Sequence, residues 1–495
     1  MRTVKSLLLG SAAGLIAVAG AQAADLPVKA KPVQYVKICT LYGEGWYYIP
    51  GSDTCIRLGG YIRADYGWNV TGSRTPQYSG TAGARDRTVS EFSTRHRLNI
   101  TMDTRTQSQY GTLRTLTSLH VQNENQSESF NAARAFIQWA GFSFGRMQSF
   151  QDTWAISDSW HYAQQQNNSD TGANGVNSIA YTWELGNGMT LTLGADETRR
   201  KSLSNFSNAG TWKLGSEPVT STAGERFPDP YVAFKVDQAW GYWATSFVAH
   251  DVRGQYNNTN PASPACQALT TQCGPASDKI GWAIQTGAEF KLPMIAAGDR
   301  FGFGVRYSVG AGGFGGGSNL SSADLFSTGN TVAVGFITDG VYVDGGAIQL
   351  TTNWTVGAGF EHYWTPELKT SFTGAYSKTS YNGNAKAIIA QAMCGGATVA
   401  PPGIGAAASP SVTVPLANCN PNYGFFQGGV RTQWSPIRGF FLGVDVGYTQ
   451  VWTAFAGAAT ITTPVGARPT GAYNLNNQGS VYGIFRAQRV FNAGD

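Results

Sequence analysis

The sequence predicts an all-β protein in which sixteen antiparallel strands close into a membrane-spanning barrel. Apolar and polar residues alternate along sixteen segments, and short turns alternate with long loops between these segments. The chain also has an export signal but, after it, no uncharged apolar run of 18 residues for a transmembrane helix. An exported chain that crosses a membrane without helices must do so as a closed barrel. On pattern alone, a secreted β-sandwich or propeller stays an alternative.

The composition excludes several other classes of protein. Of the 495 residues, 13% are charged, 12% are aromatic and 62 are glycine. The aromatic content argues against disorder, and the glycines have no three-residue period, so a collagen-like helix is excluded. Without Arg2 and Lys5 of the leader, the 35 basic residues fall to 33, against 30 acidic residues. This balance argues against nucleic acid as a partner.

Residues 1–23 have the pattern of a secretory signal peptide. A basic start precedes an apolar stretch from Leu7 to Gly20, and Ala21-Gln22-Ala23 fits the small-x-small cleavage rule. We therefore expect the mature chain to begin at Ala24. The expected parts of that chain are a periplasmic N-terminal segment at 24–54, the barrel at 55–491 and a C-terminal extension at 492–495.

Each predicted strand has one apolar and one polar face. Between Ile56 and Tyr66, one parity reads Ile-Leu-Gly-Ile-Ala-Tyr and the other reads Arg-Gly-Tyr-Arg-Asp. Glu91–Met102 repeats this alternation, and successive side chains of a strand point to opposite faces. The sixteen predicted segments are 55–70, 89–104, 109–122, 131–140, 142–149, 178–186, 188–197, 229–238, 240–253, 279–292, 299–310, 347–364, 368–381, 422–434, 438–452 and 480–491.

The connections between these segments are unequal in length. Tight turns are predicted at Gly141, 186–188, 365–367 and 435–437. Two of them directly follow a tryptophan, and Gly141 follows Trp139 after one residue. Aromatic residues of this kind belong at membrane interfaces. Short turns at one end and long loops at the other are typical of outer-membrane barrels. The long loops are 71–88, 150–177, 198–228, 254–278, 311–346, 382–421 and 453–479.

The six cysteines form three local pairs, each flanking loop-like sequence. An even number of cysteines in an exported chain indicates disulfides, and proximity suggests Cys39–Cys55, Cys266–Cys273 and Cys394–Cys419. A zinc site is disfavoured because the chain has no CxxC motif and its five histidines are scattered. We expect no bound metal.

Six segments distributed over the mature chain carry a family resemblance. They are Asp25–Val36, Cys39–Arg63, Arg134–Arg146, Phe360–Pro366, Trp434–Asp445 and Phe485–Phe491. In this order they resemble the general porins of α-proteobacteria, which are sixteen-stranded trimeric outer-membrane channels. The resemblance implies a homotrimer in contact with outer-membrane lipid and lipopolysaccharide. It also implies passive diffusion of ions and small hydrophilic solutes, without a cofactor.

The resemblance further implies that the third external loop folds inward and narrows the pore. Here that loop is 148–177, and it contains Asp152, Asp158 and Asp170 but no lysine or arginine. An acidic loop facing a basic wall would create a transverse field across the pore. An ordinary solvated loop, and a salt bridge or rim position for each arginine, are the alternatives. The arginines on the predicted lumen parity of the early strands are Arg57, Arg63, Arg95, Arg97, Arg114 and Arg134.

Both ends of the mature chain carry further signals. Ala24-Asp25 resembles a start that is covalently attached to peptidoglycan in some related barrels. The terminal motif ends at Phe491, which resembles the aromatic signal read by the barrel-assembly machinery. Residues 492–495 follow this aromatic residue, a departure that puts efficient assembly in doubt.

Catalytic motifs are not supported, and we expect no enzyme and no catalytic residues. Gly310–Gly315 matches GxGxxG, but no helical pattern follows it, so we predict a flexible external loop. HExxH and P-loop motifs are missing from the sequence. A spatial Ser/His/Asp site around residues 152–161, as in a secreted or outer-membrane hydrolase, is a competing hypothesis. An outer-membrane tether or surface receptor with little conductance is another.

Overall fold

The computed structural model describes most of the chain in two compact units, Met1–Cys55 and Ile56–Asp495. The described residues are 37–72, 74–154, 160–164, 171–172, 174–199, 203–206, 222–256, 276–315, 322–326, 329–343, 346–395, 412–415, 418–461 and 464–491. The predicted leader, Ala24-Asp25, Asp158, Asp170, the Cys266–Cys273 pair and residues 492–495 lie outside them.

The first unit contains a small disulfide-stapled core. Cys39 and Cys55 form the predicted disulfide, with their Cα atoms 6.0 Å apart. Between them lie a 3-10 helix at Thr40–Tyr42 and a short strand at Tyr47–Tyr48. Trp46 is buried beside both cysteines. In so short a segment, the cross-link compensates for a core too small to be stable by itself.

The second unit is built on one closed antiparallel sheet. Each strand pairs with the next, and the last pairs with the first from Gly60–Phe491 to Trp68–Gly483, which closes the barrel. Every one of the sixteen predicted segments overlaps one strand of this sheet. In chain order, β1 to β16 are Cys55–Trp68, Phe92–Ser108, Gly111–Glu124, Ser127–Trp139, Phe142–Met147, Val176–Gly186, Met189–Asp196, Asp229–Gln238, Gly241–Val252, Lys279–Lys291, Arg300–Val309, Thr352–Tyr363, Leu368–Ser380, Tyr423–Ile437, Phe440–Trp452 and Gln478–Phe491.

One predicted turn is wrong. Residues 435–437 belong to β14, and the chain reverses at Arg438-Gly439, where Gly439 has a φ of 74°. The pairing of β14 with β15 shifts between Trp434 and Ile437. Pro436 has no N–H to donate, so a ladder can accommodate it at such an irregularity. A proline in a short polar stretch therefore resembled a turn, although it marks a bulge.

Burial along the strands is the reverse of that in a soluble β-protein. On β1, Ile62 and Tyr66 are 59% and 41% exposed, whereas Arg63 and Asp65 are each 3% exposed. The predicted alternation is therefore confirmed, with apolar side chains facing outward and charged ones inward. This arrangement excludes the secreted sandwich, whose apolar face would be buried. In the described part of the chain, no helix is long and apolar enough to cross a membrane.

The long loops contain a second hydrophobic core, which the sequence pattern did not predict. Short strands from three loops form a further sheet, at Ser322–Leu325, Thr331–Phe336, Cys394–Gly395, Val412–Pro415, Gly457–Ile461 and Gly471–Leu475. The helix Gly383–Met393 and the predicted Cys394–Cys419 disulfide adjoin it. We call the buried apolar cluster of these loops the outer-loop core. It includes Phe425 of β14 and Val451 of β15, both of which face the lumen.

The segment predicted as a flexible external loop is also ordered. Gly312–Gly315 forms one helical turn, and Phe314 is 1% exposed. The Phe314 ring lies 6.2 Å from that of His250 on β9, and the Arg199 guanidinium lies 5.1 Å from the Phe314 ring. The single aromatic residue among the glycines anchors this segment inside the barrel wall.

Candidate functional site

The third external loop, which we call the inner loop, crosses the inside of the barrel between β5 and β6. Near its start, Ser149 Oγ donates a hydrogen bond to Asp196 Oδ2 at the end of β7, at 2.5 Å. Ser246 Oγ of β9 donates to the carbonyl oxygen of Gln151 at 3.1 Å. Further along, the loop contacts Asp445 on β15. The predicted inward fold of residues 148–177 is therefore confirmed for the described part of this loop.

Two tryptophans of the inner loop pack on a patch of inward-facing glycines. Trp154 and Trp160 are 2% and 0% exposed, and their rings meet edge to face at 5.9 Å. Glycine leaves room for the indoles, because a side chain on the same wall would occupy their place. The patch consists of Gly287 on β10, Gly302 and Gly304 on β11, and Gly359 on β12, which lie on neighbouring strands.

Asp445 holds the far end of the inner loop. Its Oδ2 accepts hydrogen bonds from the backbone N–H groups of Tyr162 and Ala163, at 2.6 and 3.1 Å. The Tyr162 hydroxyl donates to Gln433 Oε1 at 3.1 Å, and burial raises the pKa of that phenol to about 12. Tyr162 is therefore neutral at physiological pH. A carboxylate that accepts two backbone N–H groups fixes the loop more firmly than neutral contacts would.

A cluster of arginines surrounds Asp65 beside the inner loop. The Asp65 carboxylate binds Arg95 Nη2 and Arg486 Nε, each at 2.6 Å, and Arg63 Nε lies 3.6 Å away. Arg74 interacts electrostatically with the same group and donates to the Tyr162 carbonyl oxygen at 2.8 Å. We call these four arginines and Asp65 the arginine cluster. It has four positive charges and one negative charge.

The arginine cluster contains two predicted and two unpredicted arginines. Arg63 and Arg95 lie on neighbouring strands, as their lumen parity indicated. Arg486 was missed because β16 meets β1 only through barrel closure, and Arg74 because it lies in a loop. Asp65 has the same parity as Arg63, so the alternation could have identified it.

The other predicted wall arginines lie in separate groups. Arg97 Nε donates to Gln122 Oε1 at 2.7 Å, and Arg114 Nη2 lies 3.0 Å from Asp103 Oδ2. Arg134 Nη2 donates to the carbonyl oxygen of Gly172 at 2.8 Å, so this arginine fixes the returning end of the inner loop. Arg57 is half-buried on the lumen parity of β1. These positions agree with a lumen wall but do not form one continuous ladder.

Asp152 is the only predicted loop carboxylate among the described residues. Its Oδ2 accepts hydrogen bonds from the backbone N–H and the hydroxyl of Thr171, both at 2.9 Å. Arg199 Nη2 lies 3.7 Å from its other oxygen, and the side chain is 1% exposed. Asp152 therefore holds the two limbs of the inner loop together. Its role in the field across the pore stays a prediction.

A second ionic group lies beneath the inner loop on β11 to β14. Glu361 accepts hydrogen bonds from Arg300 Nη2 and Arg431 Nη2, each at 2.6 Å. The Arg300 guanidinium lies 5.1 Å from the Trp160 ring, and that of Arg431 lies 5.4 Å from Tyr162. These paired charges therefore contact the inner loop through the rings of Trp160 and Tyr162. The described residues contain no group of three or more His, Cys, Asp or Glu that could hold a metal ion.

The closed barrel, its apolar outer face and the loop folded into a charged lumen define an outer-membrane channel. Comparison with known proteins shows its family. The model of the porin subfamily matches residues 25–484, and the chain belongs to this family. The protein is an outer-membrane porin, and membership of this family indicates a channel rather than an enzyme.

Individual relatives and one solved structure agree with this family. The chain is 30% identical over 332 residues to the porin Omp2b of Brucella suis, and 31% identical over 336 residues to the porin Omp2a of Brucella melitensis. Each alignment covers 59% of this chain and 82% of the relative. The crystal structure of the outer-membrane channel DcaP of Acinetobacter baumannii matches with a TM-score of 0.54 and 13% identity. That match covers 90% of this chain and 99% of DcaP, and it supports the fold.

Proposed function

We propose that this porin is a passive, water-filled channel whose narrowest passage lies between the inner loop and the arginine cluster. It admits ions and small hydrophilic solutes. The observation that supports this passage is the contact of Tyr162 with the cluster, since the Arg486 guanidinium lies 4.2 Å from its ring. The loop and the arginines therefore share one cross-section of the lumen. Size exclusion at that cross-section requires no cofactor and no energy source.

The charge of the arginine cluster favours anions in this passage. Four guanidinium groups surround one carboxylate, and guanidinium stays charged at any working pH. Cations entering the narrow passage are repelled by this excess positive charge, which little water or salt can screen there. Rows of charge at a constriction set ion selectivity in this way. The acidic residues of the inner loop are proposed to form the opposite side of the field.

The test is the reversal potential of the detergent-purified protein in a planar bilayer under a salt gradient. The double variant Arg63→Ala with Arg95→Ala removes two arginines of the cluster and is expected to shift the reversal potential toward cations. The matched control is Arg438→Ala with Arg489→Ala, which removes two positive charges near a short turn, where Arg489 Nη1 donates to the Arg438 carbonyl oxygen. If only the control variant moves the reversal potential, or neither variant does, Arg63 and Arg95 do not line the constriction.

The assembly and partners are proposed on the family resemblance. We propose a homotrimer embedded in outer-membrane lipid and lipopolysaccharide, and native mass spectrometry of the detergent complex would give its subunit number. Phe491 ends β16 and is 41% exposed, which suits recognition by the barrel-assembly machinery. Its replacement by alanine should lower the yield of folded barrel in the outer membrane. Attachment to peptidoglycan through Ala24-Asp25 predicts protein that is released only by muramidase.

A further inference from the structure

One buried arginine of the barrel wall has no hydrogen-bond or ion-pair partner among the residues that the structure describes. Arg306 lies on β11, points into the lumen and is 4% exposed. Among the described residues, its guanidinium makes no hydrogen bond or ion pair, and its Nη2 is fully buried. A charge removed from water without a partner is costly, so a buried cation is normally paired. The position of Arg306 therefore requires an explanation.

Comparison with the other buried arginines makes Arg306 exceptional. Six further arginines of the described part of the chain are buried, and all of them have a contact that involves a polar or charged group. The contacts are Arg63, Arg95 and Arg486 with Asp65, Arg74 with the Tyr162 carbonyl oxygen, Arg97 with Gln122, and Arg431 with Glu361. The fold therefore supplies an acceptor for each of these named guanidinium groups but not for that of Arg306.

Further unsatisfied donors lie beside Arg306 on the same wall. Gln285 of β10 is its partner in the strand register, and Ser308 and Asn353 form the next inward-facing pair. These three side chains are 2%, 0% and 0% exposed. Gln285 Nε2, Ser308 Oγ and Asn353 Nδ2 are buried without a hydrogen-bond partner among the described residues. The two rows are two residues apart along the strands, about 6.6 Å, so one small ligand can contact both.

The inner loop covers this group of donors. Trp154 packs over Gly287 and Gly304, which are the next inward positions beyond Gln285 and Arg306 on the two strands. The charged groups that act on Arg306 are Asp152 and Arg199. The Asp152 carboxylate is already engaged by Thr171 and lies beside Arg199, so it does not neutralise Arg306 by direct contact.

We propose that Arg306, Gln285, Ser308 and Asn353 form a binding site for a small oxyanion such as phosphate or a carboxylate. The guanidinium supplies a charged fork that matches two oxygens of such an ion. The amide and hydroxyl groups donate to the remaining oxygens, and the unpaired charge of Arg306 is neutralised by the bound ion. The site is distinct from the constriction at the arginine cluster, and its occupancy does not depend on ion flow through the channel.

The probe for this site is inorganic phosphate, titrated into the intact detergent-purified protein by isothermal calorimetry. The wild type should bind phosphate, and Arg306→Met should weaken binding at least about tenfold, because hydrogen bonds to a charged group are lost. Arg97→Met is the matched control, since it removes the same charge from a guanidinium that already has a partner. It should change the affinity less than about twofold.

Two further variants keep the test decisive if Arg306→Met does not fold. Arg306→Lys keeps the charge but loses the fork, and Gln285→Leu removes a donor without changing the charge. Both should weaken phosphate binding in a protein that still shows the β-sheet circular dichroism of the wild type. The proposal is overturned if the wild type binds no phosphate at millimolar concentration. Equal affinities of the wild type and the Arg306 variants, or an equal loss in Arg97→Met, would also overturn it.

Discussion

Gly302 on β11 lies directly beneath the indole of Trp154. A methyl group on Gly302 would approach three atoms of that ring to 2.4–2.5 Å, which no pair of non-bonded atoms can tolerate. The inner loop therefore reaches the barrel wall only because this position has no side chain. The relationship connects a single residue of the wall to the width of the lumen, since Trp154 fixes the path of the loop.

Gly302→Ala is expected to displace the inner loop without opening the barrel. Overpacking of this kind costs about 1–3 kcal/mol, which is enough to move a loop but not a sixteen-stranded sheet. Single-channel conductance should change, and proteolysis within residues 150–164 should become faster. Gly483→Ala is the control, because a methyl group there would have its nearest neighbour, the Asp445 carbonyl oxygen, at 4.0 Å. Unchanged conductance of Gly302→Ala would show that Trp154 does not set the loop position.

Most of the barrel could be predicted from the sequence. The alternation on β1 and β2 places Arg63, Arg95 and Arg97 in the lumen, because strand parity alone determines the face to which each side chain points. The outer-loop core could not be predicted in this way. Its members, such as Phe206 and Phe336, come from distant loops, and single apolar residues in polar stretches have no periodicity that shows where they meet.

The site could be predicted only in part, for a related reason. Parity identifies which residues face the lumen but not which of them are neighbours across the closure of the barrel. Asp65 and Arg486 are 421 positions apart in the chain and form a direct ion pair. The role of Gly302 was equally hidden, because a glycine on the lumen parity has no chemistry of its own until a loop packs on it.

Asp65→Asn is expected to make the channel more selective for anions. The carboxylate is the shared counter-charge of Arg63, Arg95 and Arg486, so its removal increases the excess of positive charge at the cluster. Loss of one partner in a buried ionic group also lowers the free energy of unfolding, by about 3 kcal/mol. The reversal potential under a salt gradient measures the first effect and thermal unfolding the second.

Asp237→Asn provides the control for this change of charge. Asp237 is 57% exposed and pairs with Lys235 at 3.0 Å, where water and salt screen its field. We expect it to move neither the reversal potential nor the unfolding temperature measurably. A shift as large as that of Asp65→Asn would mean that selectivity depends on net charge rather than on the arginine cluster.

Asp445→Ala is expected to release the far end of the inner loop. The variant removes the acceptor of the Tyr162 and Ala163 N–H groups and the negative charge 3.7 Å from His161. Conductance should rise and become noisier, because the loop is then held near β5 and β6 but less firmly at Tyr162 and Ala163, where it crosses the lumen. Asp445→Asn keeps one amide oxygen as an acceptor, so its effect should be smaller. Equal effects of the two variants would contradict a role of the hydrogen bonds in holding the loop.

Phe336→Ala is expected to loosen the long loops while leaving the barrel closed. Phe336 is 1% exposed, lies 5.3 Å from the Tyr381 ring, and accepts a hydrogen bond from the Tyr381 hydroxyl through its carbonyl oxygen. Truncation of such a buried aromatic side chain costs about 3–5 kcal/mol, whereas the hydrogen bonds of the sixteen strands are untouched. Because Phe425 and Val451 of the lumen wall belong to the same core, a loosened core uncovers part of the wall, and conductance should rise.

Limited proteolysis followed by mass spectrometry tests the Phe336→Ala variant. New cleavage sites should fall in the long loops, and the barrel strands should stay protected. Phe372→Ala is the matched control, since it removes the same side chain from the outer face of β13, where Phe372 is 44% exposed. It should change neither the cleavage pattern nor the conductance. If Phe336→Ala gives the cleavage pattern of the wild type, the outer-loop core does not hold the loops, because the loss of its buried ring would then have no effect on their order.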